Sequence, residues 1–151
     1  MKTRIPLVIS LLAAAGIACA QPHGGQGEAP PVMHGAAPVA SVPVGKIEKS
    51  KAADGKTVAE VVANKATLKD KPVTIRGQVV KVSHGIMGKN WVHLQDGSGT
   101  ADKSTNDIVV TTKDETAIGQ VVNASGTVRT DVDIGSGYKY AVLVEEAKLR
   151  K

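Results

Sequence analysis

The sequence predicts a small, mainly β domain that closes into a barrel and carries one short helix at its start. Short Val-rich runs separated by Gly, Asn and Asp clusters are typical of strands. The first run changes phase, because its apolar residues fall at odd positions up to Val79 and at even positions from Val80 to Val82. A strand whose inward face switches needs a bulge or a bend, and we expect it beside Gly77. A small closed barrel requires such a bent first strand, since that strand pairs at both ends.

Residues 57–68 interrupt the β pattern with a helical one. Thr57 and Glu60 predict a capping box, in which each side chain accepts a hydrogen bond from the other residue's backbone amide. Pro72 follows the helix and prevents it from continuing. Spacings of three and four residues predict one apolar face, made of Val58, Val61, Val62 and Ala66.

Five strands are expected after the helix, separated by turn residues, at 73–83, 91–95, 107–113, 121–131 and 138–145. The chain has no Phe, one Trp and two Tyr, so Val, Ile, Leu and Ala must build the core. Residues 133–137 contain two glycines and predict a hairpin turn between the last two strands. Five strands at this spacing predict an OB-fold, a five-stranded Greek-key barrel. The connection 114–119 is too short for the helix that many OB-folds carry there, so we expect the 57–68 helix to plug the barrel.

The chain begins with a predicted signal peptide over residues 1–20. Lys2 and Arg4 precede a short apolar stretch, and small residues then offer a cleavage site after Ala20. The apolar stretch is shorter than the roughly 20 residues that a membrane-spanning helix needs. In the alternative, a lipoprotein signal, the chain is cut before Cys19 and lipidated there. We therefore expect a periplasmic or secreted protein, anchored to the membrane only if Cys19 is lipidated.

Two regions follow the signal peptide. Residues 21–45 are rich in Gly, Pro and Ala and predict a disordered, flexible leader, and residues 46–151 form the OB-fold domain. Loss of Lys2 and Arg4 lowers the formal charge from +5 to +3. A net charge of +3 is well short of the basic stripe that is expected of a dedicated nucleic-acid-binding protein. Cys19 is the only cysteine, so the mature domain has no disulfide and no thiol nucleophile.

The valine-rich strand around Gly77 and the strand Trp91-Val-His-Leu-Gln-Asp-Gly97 resemble the anticodon-binding OB domain of class II aminoacyl-tRNA synthetases. The chain departs from that pattern at Gln95, where the family has Arg. The segments TVAEVVANKATLKDKPVTIRG and IMGKNWVHLQDGSG are similar to small exported bacterial OB-fold proteins. That resemblance implies a single barrel domain. Proteins of this group are commonly described as nucleic-acid- or nucleotide-binding, and that description rests on the fold alone. It also implies roles in periplasmic cytochrome or nitrite-reductase systems or in stress tolerance.

One strand carries the candidate ligand-binding face. Trp91, His93 and Gln95 alternate along it and therefore share the face opposite Val92 and Leu94. The synthetase resemblance implies that Trp91 stacks on a base, and such a stack is worth about 1–3 kcal/mol. The alternative is that Trp91 packs beneath the loop 83–89. The residues that could add positive charge are Lys81, Lys89 and Arg76, with Arg129 and Lys139 from the last hairpin.

Metal binding and catalysis have weaker support. His84, Met87 and His93 offer imidazole and thioether ligands that suit Cu(I), but the sequence does not bring them together, so we predict no metal site and no cofactor. Asp96, Asp102 and Asp107 miss the spacing of a calcium-binding EF-hand and are expected to be solvated loop carboxylates. No nucleophile–base arrangement, phosphate-binding Gly-Lys motif or paired-carboxylate motif is present, which predicts a protein that is not an enzyme.

The sequence therefore predicts an exported, non-catalytic binding module. Its extended ligand, such as single-stranded nucleic acid or an oligosaccharide, would meet the Trp91 face between the loops 83–89 and 133–137. One alternative is a protein-interaction, assembly or stress-tolerance factor for periplasmic systems such as cytochromes, with a periplasmic protein as its partner. Another alternative is a copper carrier that uses His and Met side chains.

Overall fold

The computed structural model describes residues 44–151, so the expected signal peptide, the Cys19 lipidation site and most of the expected leader lie outside the described part. No helix in that part is long and apolar enough to cross a membrane. The described chain is mainly β. Its elements are β1 (Gly55–Lys56), α1 (Val58–Ala63), α2 (Lys65–Leu68), β2 (Pro72–Ile86), β3 (Lys89–Gln95), β4 (Ile108–Thr112), β5 (Val121–Asp133) and β6 (Lys139–Arg150).

The six strands form one sheet that closes partly into a ring. The strand order is β1-β2-β3-β4-β6-β5, and β2 also pairs with β5. Within the ring only β4 and β6 run parallel, and the other neighbours are antiparallel. The two-residue β1, which the sequence did not predict, pairs in parallel with β2.

The predicted bend in the first long strand is confirmed. Up to Gln78, β2 pairs with β5, and from Gln78 onward it pairs with β3. The register is irregular between Val79 and Lys81, where the apolar positions change phase. A Cβ atom at Gly77 would lie 3.0 Å from the Gln95 carbonyl oxygen, so glycine allows β2 and β3 to approach closely at the bend.

The helical segment is shorter and more broken than its sequence pattern predicts. The capping box is present, but α1 ends at Ala63, and Asn64 separates it from α2. The expectation that Ala66 belongs to the apolar face is wrong, because the break turns Ala66 toward solvent and Leu68 toward the core instead. Val58 and Val61 are fully buried and belong to the larger apolar cluster of the domain.

The turn that follows β3 holds α1 against the barrel. The Asp96 carboxylate accepts a hydrogen bond from the backbone amide of Val58 at 2.9 Å, and the Ser98 hydroxyl accepts one from the amide of Ala59 at 3.0 Å. The first amides of the helix are thus capped by a distant turn. Gly97 has φ +73°, and a Cβ atom there would lie 2.7 Å from the Gly45 carbonyl oxygen, so this turn requires glycine.

The last strand runs further than its sequence predicts. Its apolar alternation stops at Glu145, but β6 continues to Arg150 because Glu146, at φ +52°, absorbs an irregularity in the pairing with β5. Ala147 and Leu149 then face the core again. The predicted hairpin turn at 133–137 is confirmed, and β4 connects to β5 without a helix.

Apolar side chains form two separate clusters. The first fills the inside of the ring and includes Val92 and Leu94, which are fully buried. The second lies on the outer face of β3, β4 and β6 and is called the outer cluster here. It consists of Trp91, Val109 and Leu143, against which Val132, Ile134 and Tyr140 pack. The ends of β5 and β6 nearest their turn therefore cover the face that carries Trp91.

Candidate functional site

Trp91 lies in the outer cluster rather than on an open surface. It is 6% exposed, and its ring stacks on that of Tyr140 with centroids 5.4 Å apart. Its indole Nε1–H donates a hydrogen bond to the Ile86 carbonyl at 3.0 Å, so Trp91 packs against the 83–89 loop. A base or sugar could stack on Trp91 only after Tyr140 moved away.

His93 and Gln95 share the outer face of β3 with Trp91, as the alternation predicts. His93 is 7% exposed, and its Nδ1 atom lies 2.9 Å from Asp107 Oδ1. Gln95 is half-buried opposite Gln78 of β2. Trp91 and His93 are therefore occupied by contacts within the domain.

Of the three basic residues expected around this face on β2 and β3, two lie near it and one does not. Lys81 is the cross-strand neighbour of His93, whereas Lys89 bonds to Glu145 at 3.2 Å. Arg76 lies on the other side of the bend in β2, opposite Asn123 of β5. The sequence cannot show this separation because it depends on the exchange of pairing partners along β2.

The two cations from the last hairpin are also paired. Lys139 lies 3.3 Å from Asp133, and Arg129 bonds to Glu145 at 3.1 Å as well as to Asp70. Arg129, followed by Lys89, holds the pKa of the Glu145 carboxyl below its ordinary value. Lys89, Arg129 and Lys139 are therefore paired with carboxylates, whereas Lys81 beside His93 has no ion-pair partner among residues 44–151.

The candidate copper ligands point in different directions. The pairing of β2 with β3 becomes irregular after Ser83, and His84, the next residue, lies 3.6 Å from Glu115. His93 faces outward toward Asp107. In residues 44–151 no three His, Cys, Asp or Glu side chains are grouped so that they could hold a metal ion.

The acidic residues near the β3 turn have structural contacts. Asp96 is 1% exposed and caps α1, so the expectation that it is a solvated loop carboxylate is wrong. Asp107 bonds to His93. Asp102 alone of the three is exposed in its loop.

The tips of two hairpins carry exposed apolar side chains, and of these the sequence suggested a role only for Met87, as a candidate copper ligand. On the β2–β3 tip, Ile86 is 45% and Met87 is 69% exposed, and on the β5–β6 tip Tyr138 is 49% exposed. We call these three residues the tip patch. Trp91 contacts both hairpins, through its bond to Ile86 and its stack on Tyr140.

The backbone at the β2–β3 tip is unusual for its sequence. Ile86 pairs with Lys89, which leaves a loop of two residues, Met87 at φ +54° and Gly88 at φ +73°. Two-residue hairpin loops with both φ angles positive favour Asn, Asp or Gly at the first position. A methionine there has a strained backbone, and the turn holds its side chain out in solvent.

No model of a known protein family matches the chain, and no curated protein sequence matches it.

Proposed function

We propose that the chain is an exported, non-catalytic binding module with an OB-fold, and that it binds a protein partner through the tip patch. The closure of β2 on β5, the parallel β4–β6 pair and the helical plug support the OB-fold. In OB-folds, ligands meet the barrel near the loops that correspond to the two hairpin tips here.

The observation that carries the proposal is the conformation of Met87. A large apolar side chain is 69% exposed on a backbone with positive φ, where a small polar residue or glycine would be less strained. Methionine is flexible and polarizable, which suits contact with another protein. Strain of this kind is expected where a side chain is retained for binding rather than for stability.

The chemistry of the tips favours a protein over nucleic acid. Tyr and Met are enriched in protein interfaces, and Ile86 adds an aliphatic surface beside them. The cations near the tips, Lys89 and Lys139, already pair with carboxylates. A phosphate backbone would therefore have to compete with these ion pairs, and Trp91 is not available for base stacking.

A substitution that should not harm folding tests the proposal. In Met87→Asn the turn receives a residue that it favours, so we expect stability that is unchanged or up to about 1 kcal/mol higher. Ile118→Asn is the matched control, because Ile118 is 65% exposed in the β4–β5 connection. The immobilised chain and both variants would be incubated with a periplasmic extract of the native host, and bound proteins would be identified by mass spectrometry.

The proposal predicts one protein that the wild type and Ile118→Asn retain equally and that Met87→Asn loses at least tenfold. Equal recovery by all three chains, or recovery of nucleic acid or oligosaccharide in place of a protein, would contradict it. Thermal unfolding of each variant separates lost binding from lost folding.

A further inference from the structure

A groove lies on the side of the ring that carries the first half of β2, away from the tip patch. It has a volume of about 460 Å³, within the usual range for sites that bind small molecules. The segment before β1 forms one wall, and the outer face of β2 and β5 forms the other. The polar residues that line it are Glu48, Lys49, Ser50, Lys51, Arg76 and Asn123.

The sheet fixes the direction of the two side chains on the β wall. Ile75 and Ala124 are cross-strand partners and are fully buried inside the ring. Their neighbours Arg76 and Asn123, also cross-strand partners, therefore face outward. On the other side of Asn123 the register partner is Arg150 of β6, an exposed residue, so Asn123 lies between two arginine positions in a row of three strands.

Part of the hydrogen-bonding capacity of the groove is unused. Among residues 44–151, the side chains of Arg76, Lys51 and Asn123 have no hydrogen-bond or ion-pair partner, although Arg76 is half-buried. The third cation of the groove, Lys49, lies 3.5 Å from Glu60. A half-buried guanidinium without an acceptor favours an oxyanion, which it can bind through two parallel hydrogen bonds.

We propose that this groove binds a phosphate group. Three cations line it against the carboxylate of Glu48, and an excess of positive charge remains even though Lys49 also pairs with Glu60. Arg76 would bind two phosphate oxygens, the Asn123 amide would donate to a third, and Lys51 would supply charge from the opposite wall. The phosphate group can be inorganic phosphate or part of a lipid headgroup, because both present the same oxygen atoms to these donors.

The phosphate site is independent of the proposed protein-binding function. Arg76 and Ile86 are separated by most of the length of β2 and by its bend, so no residue belongs to both surfaces. Loss of partner binding at the tip patch would leave phosphate binding unchanged, and the reverse also holds.

Nuclear magnetic resonance titration tests the assignment. The ¹⁵N-labelled chain would be titrated with inorganic phosphate at constant ionic strength, following the backbone amides of Arg76 and Asn123 and the Arg76 Nε–H signal. Arg76→Gln removes the guanidinium, and Lys103→Gln, an exposed lysine of another loop, is the control with the same change in charge. Cosedimentation with phosphatidylglycerol vesicles, compared with phosphatidylcholine vesicles, distinguishes a lipid source.

We expect saturable shifts at Arg76 and Asn123, an affinity at least tenfold lower in Arg76→Gln, and a change below twofold in Lys103→Gln. Saturable binding of inorganic phosphate would identify free phosphate as the ligand. Binding only to phosphatidylglycerol vesicles, and only when Arg76 is present, would identify the lipid headgroup as the ligand. The proposal is overturned if neither probe binds, or if Arg76→Gln binds as tightly as the wild type.

Discussion

Replacement of Asp96 by Ala tests how the β3 turn holds the helical plug. The carboxylate is 1% exposed and accepts hydrogen bonds from the backbone amides of Val58 and Ser98, both at 2.9 Å. Asp96→Ala leaves the amide of the fully buried Val58 without an acceptor. Loss of a cap together with a buried unsatisfied donor corresponds to about 2–4 kcal/mol. We expect the free energy of unfolding, measured in urea by the fluorescence of the single Trp, to fall by that amount.

Two further variants calibrate this result. Asp96→Asn keeps one acceptor oxygen and should lose less than Asp96→Ala. Ser98→Ala removes the acceptor of the Ala59 amide and the hydrogen bond that the Ser98 hydroxyl donates to Asp96, but it leaves the Val58 amide capped, and it should lose about 1 kcal/mol. A loss below about 0.5 kcal/mol for Asp96→Ala, which is typical of surface substitutions, would refute the capping argument.

Trp91→Ala should lower the free energy of unfolding by about 3 kcal/mol, because it leaves a cavity beside Tyr140. Urea unfolding followed by circular dichroism measures this change, and a loss below about 1 kcal/mol would show that Trp91 is not packed as described. Arg129 and then Lys89 lower the pKa of Glu145 from its ordinary 4.5, so this pairing stabilises the fold above pH 4.5 and is lost as pH falls through the lowered pKa. As the pH is lowered below 4.5, the urea concentration at the unfolding midpoint should therefore fall less steeply in Glu145→Gln than in the wild type. Equal slopes for the two proteins would contradict the prediction.

Much of the fold could be predicted because its signals are local. The phase change of β2, the capping box of α1 and the glycine turn between β5 and β6 are each encoded within a few residues. The break at Asn64 and the two-residue β1 could not be predicted, because tertiary contacts determine both. Leu68 reaches the core only if the helix breaks, and β1 exists only through its pairing with β2.

Less of the candidate site could be predicted, because it depends on contacts between distant segments. The alternation shows that Trp91 faces out of the ring, but not that Tyr140, far along the chain, covers it. Arg76 likewise faces outward, but the bend of β2 separates it from Trp91. The exposure and positive φ of Met87 depend on the pairing of Ile86 with Lys89, which the Met-Gly sequence does not signal.

Site-specific photo-crosslinking in living cells of the native host tests the binding function most directly. A photoreactive amino acid would replace Met87 in one strain and Ile118 in a control strain, since both side chains are exposed. We expect one protein to be crosslinked at position 87 and to be absent at position 118. No crosslinked protein at position 87, or the same products at both positions, would contradict it.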